Sequence, residues 1–177
     1  MAKSAIISLL LMGIMANLSA QISRNKLYQK IIQADSVVLV SHLTTCVPHV
    51  DSLTKEWLDP LQLVVQNKLN DPIVKERYRL QVKETESLAR ILITRNTDRE
   101  IENIRCFVPH HGILIYKKGT CAFFDICFTC RHFVTSKDIS LSDELSRKTW
   151  KMLEQFFRVR GLRYEMPAEF SETVADN

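Results

Sequence analysis

The stretch GILIYK (Gly112 to Lys117), the pair Lys118-Gly119 and the run CAFFDICFTCRHFV (Cys121 to Val134) decide the fold. Two apolar runs, rich in β-branched and aromatic residues, flank a Lys-Gly turn. Gly supplies the positive φ that a two-residue hairpin loop requires. Such a loop pairs Lys117 with Thr120. Tyr116 then faces Cys121, Leu114 faces Phe123, Gly112 faces Asp125 and His110 faces Cys127. Facing side chains stand about 5 Å apart at Cβ. Alternation puts Cys121, Phe123, Asp125, Cys127 and His110 on one side of the sheet. Ala122, Phe124, Ile126, Phe128, Ile113, Ile115 and His111 take the other. That second side is the more apolar and is assigned to the core.

Outward from the hairpin, SVVLVS (Ser36 to Ser41) and LQLVVQ (Leu61 to Gln66) read as strands. Tyr78, Leu80 and Val82 alternate with polar residues, as in a half-buried strand. Asn70-Asp71-Pro72 marks a turn. Ile22, Leu27, Ile31 and Ile32 predict a helix over 23–34 capped by Ser23. Leu88, Ile91 and Leu92 predict another over 84–94. Leu145, Thr149, Met152, Leu153 and Phe156 predict a last helix, capped by Ser142 and stopped at Gly161. Trp57 and Trp150 are expected to anchor the core. The sum is an α+β fold: an antiparallel sheet of about four to five strands with N-terminal and C-terminal helices.

The 177 residues suit a single domain, placed at 21–164. AIISLLLMGIMA (Ala5 to Ala16) follows Lys3 and precedes a polar break ending in Ala20. This is the pattern of a secretory signal over residues 1–20, and the run is short for a bilayer span. Export to the periplasm or the cell exterior is therefore expected, with no membrane span after cleavage. Residues 165–177 hold acids and no base, and are expected to form a flexible acidic tail. Four glycines, at positions 13, 112, 119 and 161, are too scattered for a nucleotide loop or a serine-hydrolase elbow. Net charge is +4. The bases of the last helix (Arg147, Lys148, Lys151, Arg158, Arg160) are interrupted by acids and read as a solvated face, so nucleic acid is not an expected partner.

CFVPHHGILIYKKGTCAFFDICFTC over 106–130 resembles a group of small exported bacterial proteins of unknown function. These carry a Cys-Phe-x-Pro-x-His segment, an apolar hairpin and an Ile-Cys-Phe-x-Cys strand. The resemblance covers most of residues 60–160. It implies an exported single domain and carries no implication about chemistry.

Cys106, His110, His111, Cys121, Cys127, Cys130 and His132 crowd one part of a chain with five cysteines and five histidines. Three uses compete. In a thiol site, His110 would activate Cys127 while Asp125 orients the ring, giving hydrolase or acyl-transfer chemistry. In a metal site, Cys127, Cys130, His110 and Cys106, or His132, would hold zinc. Residues three apart on a regular strand point to opposite faces, so the strand would have to end near Phe128. In the third use the cysteines are structural, buried or paired in disulfides. This last is the leading expectation: a binding or structural module without cofactor, rather than an enzyme. His42, Cys46 and His49 have ligand-like spacing but lack a second ligand pair. Asp51, Glu56 and Asp59 offer no acid–base couple. The Arg77/Arg79 row reads as a solvated strand face that can receive a carboxylate.

Overall fold

A computed structural model describes residues 21–45, 49–50, 57–94, 107–139, 141 and 145–168. The expected leader, Cys46, Asp51, Glu56, Cys106, Ser142, the end of the acidic tail, and the side chains of His49 and Trp57 lie outside them.

Residues 21–32 form α1. Helix already runs at residue 21, so Ser23 is inside it rather than its cap. Next come β1 (Ser36–His42), the short strands β2 (His49–Val50) and β3 (Trp57–Leu58), then β4 (Val64–Val65), β5 (Lys68–Leu69) and β6 (Val74–Arg79). After these follow α2 (Val82–Leu92), β7 (His111–Lys117), β8 (Thr120–Cys127), β9 (His132–Thr135) and α3 (Arg147–Arg158). The main sheet has five antiparallel strands in the order β6-β1-β7-β8-β9. The α+β reading holds.

The β7–β8 register is the expected one, from Lys117↔Thr120 to Gly112↔Asp125 and His111↔Ile126. Lys118 at φ 49° and Gly119 at φ 78° make the turn. Other readings change. LQLVVQ is not one strand: it turns at Gln66-Asn67, where both residues adopt positive φ, and returns as β5. The strand expected to reach Val82 ends at Arg79, and Val82 opens α2 at 87% exposure. The run from Cys121 to Val134 is two strands, broken at residues 128–131. Ser146 caps α3, its hydroxyl accepting the Thr149 amide at 3.2 Å.

The three helices cover one sheet face. Leu27 and Ile31 of α1, Leu88 and Leu92 of α2, and Leu153 and Phe157 of α3 meet Leu39, Ile113 and Phe124. Trp150 is buried there, as expected. The opposite face has its own small cluster, where Leu63, beside the β4–β5 hairpin, joins Val40, Leu114 and Cys121. Both faces of the central strands are therefore dry.

Gly112 makes the second cluster possible. A Cβ there would lie 2.8 Å from Leu63 Cδ2 and 3.1 Å from Val40 Cγ2. Gly112→Ala should destabilise the fold by about 1–3 kcal/mol through overpacking. Leu63→Ala in that background should cost less than in the parent chain, which urea unfolding of the four proteins measures.

Candidate functional site

The polar side chains gather where β1 ends, β7 begins and β8 ends. On β1, Val38, Val40 and His42 point to one face by strand alternation. The β1–β6 ladder shifts register between Ser41 and His42. A bulge of this kind re-aims the side chains beside it. His42 is fully buried, and its Nε2 lies 3.2 Å from Asp125 Oδ1. The two residues belong to strands that flank β7 and do not pair with each other. Between their strands lies Gly112, which is opposite both Val40 and Asp125 and carries no side chain.

The rest of the contact set fixes the protonation. His42 Nδ1 is 2.7 Å from the Leu43 carbonyl, which can only accept, so Nδ1 carries a proton. Thr45 Oγ1 donates to Asp125 Oδ2 at 2.5 Å. Nε2 and Oδ1 face each other at ion-pair distance without in-line hydrogen-bond geometry. Burial alone would push the imidazole pKa down. The Asp125 carboxylate, aided by the Leu43 and His111 backbone, more than offsets this and holds it above its ordinary value. The pair is a buried histidine–aspartate couple in which the carboxylate favours the protonated imidazole.

Its wiring differs from a catalytic triad. In a triad the carboxylate takes one imidazole nitrogen and the other faces a nucleophile. Here the backbone takes one, the carboxylate takes the other, and the hydroxyl bonds to the carboxylate.

The neighbouring histidines have separate fates. His110 leaves the regular ladder: its amide donates to the Ile126 carbonyl at 3.2 Å, and its Nδ1 is 3.2 Å from the His42 carbonyl. Its ring meets Tyr164 edge-on at 6.0 Å. Asp125 thus orients His42, not His110 as expected from the hairpin alone. His111 lies on the core face as read, wedged between Phe128 and Phe157 at 4.9 and 5.7 Å. Burial first, then the positive potential of His42, His110 and Arg158, pushes its pKa down to about 3.

The cysteines lie nearby. Cys121, Cys127 and Cys130 are buried thiols, with no disulfide among the described residues. The strand does end at Cys127, and Cys130 sits in the turn that follows. No group of three or more His, Cys, Asp or Glu side chains suited to a metal ion occurs among the described residues. Cys127, Cys130 and His110 are therefore not assembled as a zinc set there, and Cys106 lies outside them. His132 is exposed and packs edge-on against Phe107 at 5.3 Å.

Sequence reasoning singled out His42 only with Cys46 and His49, and did not single out Thr45. The signal available was parity: in SVVLVSH, His42 falls on the same face as Val38 and Val40.

A second feature is a cleft of about 620 Å³ between α1, the start of β1, the end of β6 and α2. Tyr28, Ile32, Val37, Leu80 and Val82 give it apolar walls, and Arg79, Asp35 and Glu86 are also among its lining residues. Asp35 accepts the Lys118 amide at 2.7 Å, and Glu86 pairs with Arg90 at 2.6 Å. The Arg79 side chain has no hydrogen-bond or ion-pair partner among the described residues.

Fold and site together define an α+β domain with a self-contained polar core and an open amphipathic cleft. Compared with protein-family models, with curated proteins and with solved structures, the chain finds no match.

Proposed function

We propose that the chain is an exported binding module whose cleft takes an amphipathic anion, a carboxylate with an apolar body. The observation that carries this is the cleft itself, whose apolar walls end beside Arg79, the last residue of β6. The volume falls in the range of small-molecule sites. Ile32 and Val82 remain 39% and 87% exposed, so an apolar guest has surface to cover. A binding rather than a catalytic role is read from the polar cluster, where His42 Nδ1 takes the Leu43 carbonyl, Asp125 Oδ2 takes the Thr45 hydroxyl, and the remaining Nε2 and Oδ1 face each other at 3.2 Å. Export rests on the signal-like pattern of residues 1–20. Among the described residues no helix is long and apolar enough to cross a membrane. The competing reading, a metal or thiol centre within 106–132, is favoured by one contact at Cys127, taken up below.

Decanoate titrated into the labelled protein and followed by NMR tests the reading. Amide shifts should concentrate at Val37, Leu80, Val82 and Thr85. Arg79→Gln should weaken binding up to about fivefold, as for an exposed charge pair. Shifts spread elsewhere, or an Arg79→Gln chain that binds decanoate equally well, would rule the cleft out.

A further inference from the structure

Cys127 is the last residue of β8, and the chain reverses at once over 128–131. The Arg131 amide donates to the Phe128 carbonyl at 3.3 Å, and Arg131 takes φ 49°. Within this turn the Cys130 amide donates to Cys127 Sγ at 3.2 Å. The Cys130 sulfur is three bonds from that nitrogen. The contact therefore brings the backbone of one cysteine against the sulfur of the other inside a single turn. Directly across the ladder from Cys127 stands His132, whose side chain is exposed.

From this turn we infer a reversible dithiol site, Cys127 and Cys130, that exchanges with a small-molecule disulfide. The Cys127 thiolate attacks one sulfur of the disulfide RS–SR. A mixed bond Cys127–S–SR forms and one RS⁻ leaves. The Cys130 thiolate then attacks the Cys127 sulfur. The Cys127–Cys130 bond forms, the second RS⁻ leaves, and the two thiol protons pass to the departing thiolates. The chain loses two electrons and the co-reactant becomes two thiols. Both sulfurs are nearly buried, at 3% and 6% for the whole residues. Access comes from opening of the hairpin end, where Thr129 is exposed, and local opening of this kind needs no global unfolding. This inference stands apart from the cleft, and neither depends on the other.

The full chain is equilibrated in mixtures of reduced and oxidised glutathione, acid-quenched, alkylated and digested with trypsin. The peptide from Gly119 to Arg131 contains Cys121, Cys127 and Cys130. Under reducing mixtures it should be alkylated on all of them. Under oxidising mixtures it should be alkylated on Cys121 alone and stay joined when cut after Phe128. The change should be complete over roughly a hundredfold range of [GSH]²/[GSSG]. Cys121→Ser should keep the same midpoint. Cys130→Ser should trap glutathione on Cys127. Full alkylation of the peptide at every ratio, or a bond from either cysteine to Cys106, overturns the site. So does a Cys130→Ser chain whose Cys127 stays alkylatable throughout. If Cys130→Ser does not fold, the peptide map of the parent and of Cys121→Ser decides.

Discussion

His111→Phe should remove much of the chain's sensitivity to mild acid. In the folded protein this imidazole titrates at about 3, against 6.5 for an ordinary histidine. Between those values the unfolded chain binds a proton that the folded chain refuses. Stability is therefore full above about pH 6.5 and falls as pH drops towards 3, by about 1.4 kcal/mol per unit. Near pH 4.5 the loss from this group approaches about 2.7 kcal/mol. Phe suits the site, because the ring already packs between Phe128 and Phe157. It also removes Nε2, which is buried and has no partner among the described residues. A polar atom left in that state costs about 1–3 kcal/mol. The variant should match or exceed the parent at pH 7 and exceed it by about 2–3 kcal/mol at pH 4.5. Urea unfolding at both pH values measures this. Equal pH dependence in parent and variant would refute the assignment of the acid limb to His111.

The second large effect concerns the pair above Gly112. Asp125→Leu takes from buried His42 the carboxylate that favours its protonated form and removes the Asp125 acceptor of the Thr45 hydroxyl. Breaking a buried pair from one side costs about 3–5 kcal/mol, whereas replacing both members is far milder. His42→Leu with Asp125→Leu should therefore recover about 2 kcal/mol or more of the sum of the single losses. The pH dependence has the opposite sense to that of His111. A histidine raised above its ordinary value adds stability that is complete below pH 6.5 and fades as pH rises through the folded value. The penalty of Asp125→Leu should thus be larger at pH 6 than at pH 9. A pH-independent penalty, or additive single and double variants, would show that the couple is not charged.

Taken together, the two histidines narrow stability from both sides. Acid is opposed by the neutral ring in the core, base by the cationic ring over the sheet. The optimum should fall near pH 6.5 to 7, where both contributions are close to full.

What the sequence made legible follows from how local each signal is. The Lys118-Gly119 turn and the alternation on either side specify the β7–β8 ladder down to His111↔Ile126. The stripes of α2 and α3 are equally local. By contrast, residues 128–131 make a tight reversal without glycine or proline, so the strand seemed to run on to Val134. The Gln66-Asn67 turn hid in the same way. The placement of β1 beside β7 is set by shared burial across long sequence separation, which no local pattern encodes. His42–Asp125 depends on that placement, so the hairpin alone suggested His110 as the partner of Asp125. The residue types of the polar cluster were visible, but their wiring was not.

The contact across Gly112 joins residues from strands that never touch. A one-residue slip of β1 against β7 would turn His42 to the opposite side, and a slip of β8 would do the same to Asp125. Either error buries a polar side chain without its partner. A misaligned sheet that buries as much apolar surface is therefore less stable than the observed one.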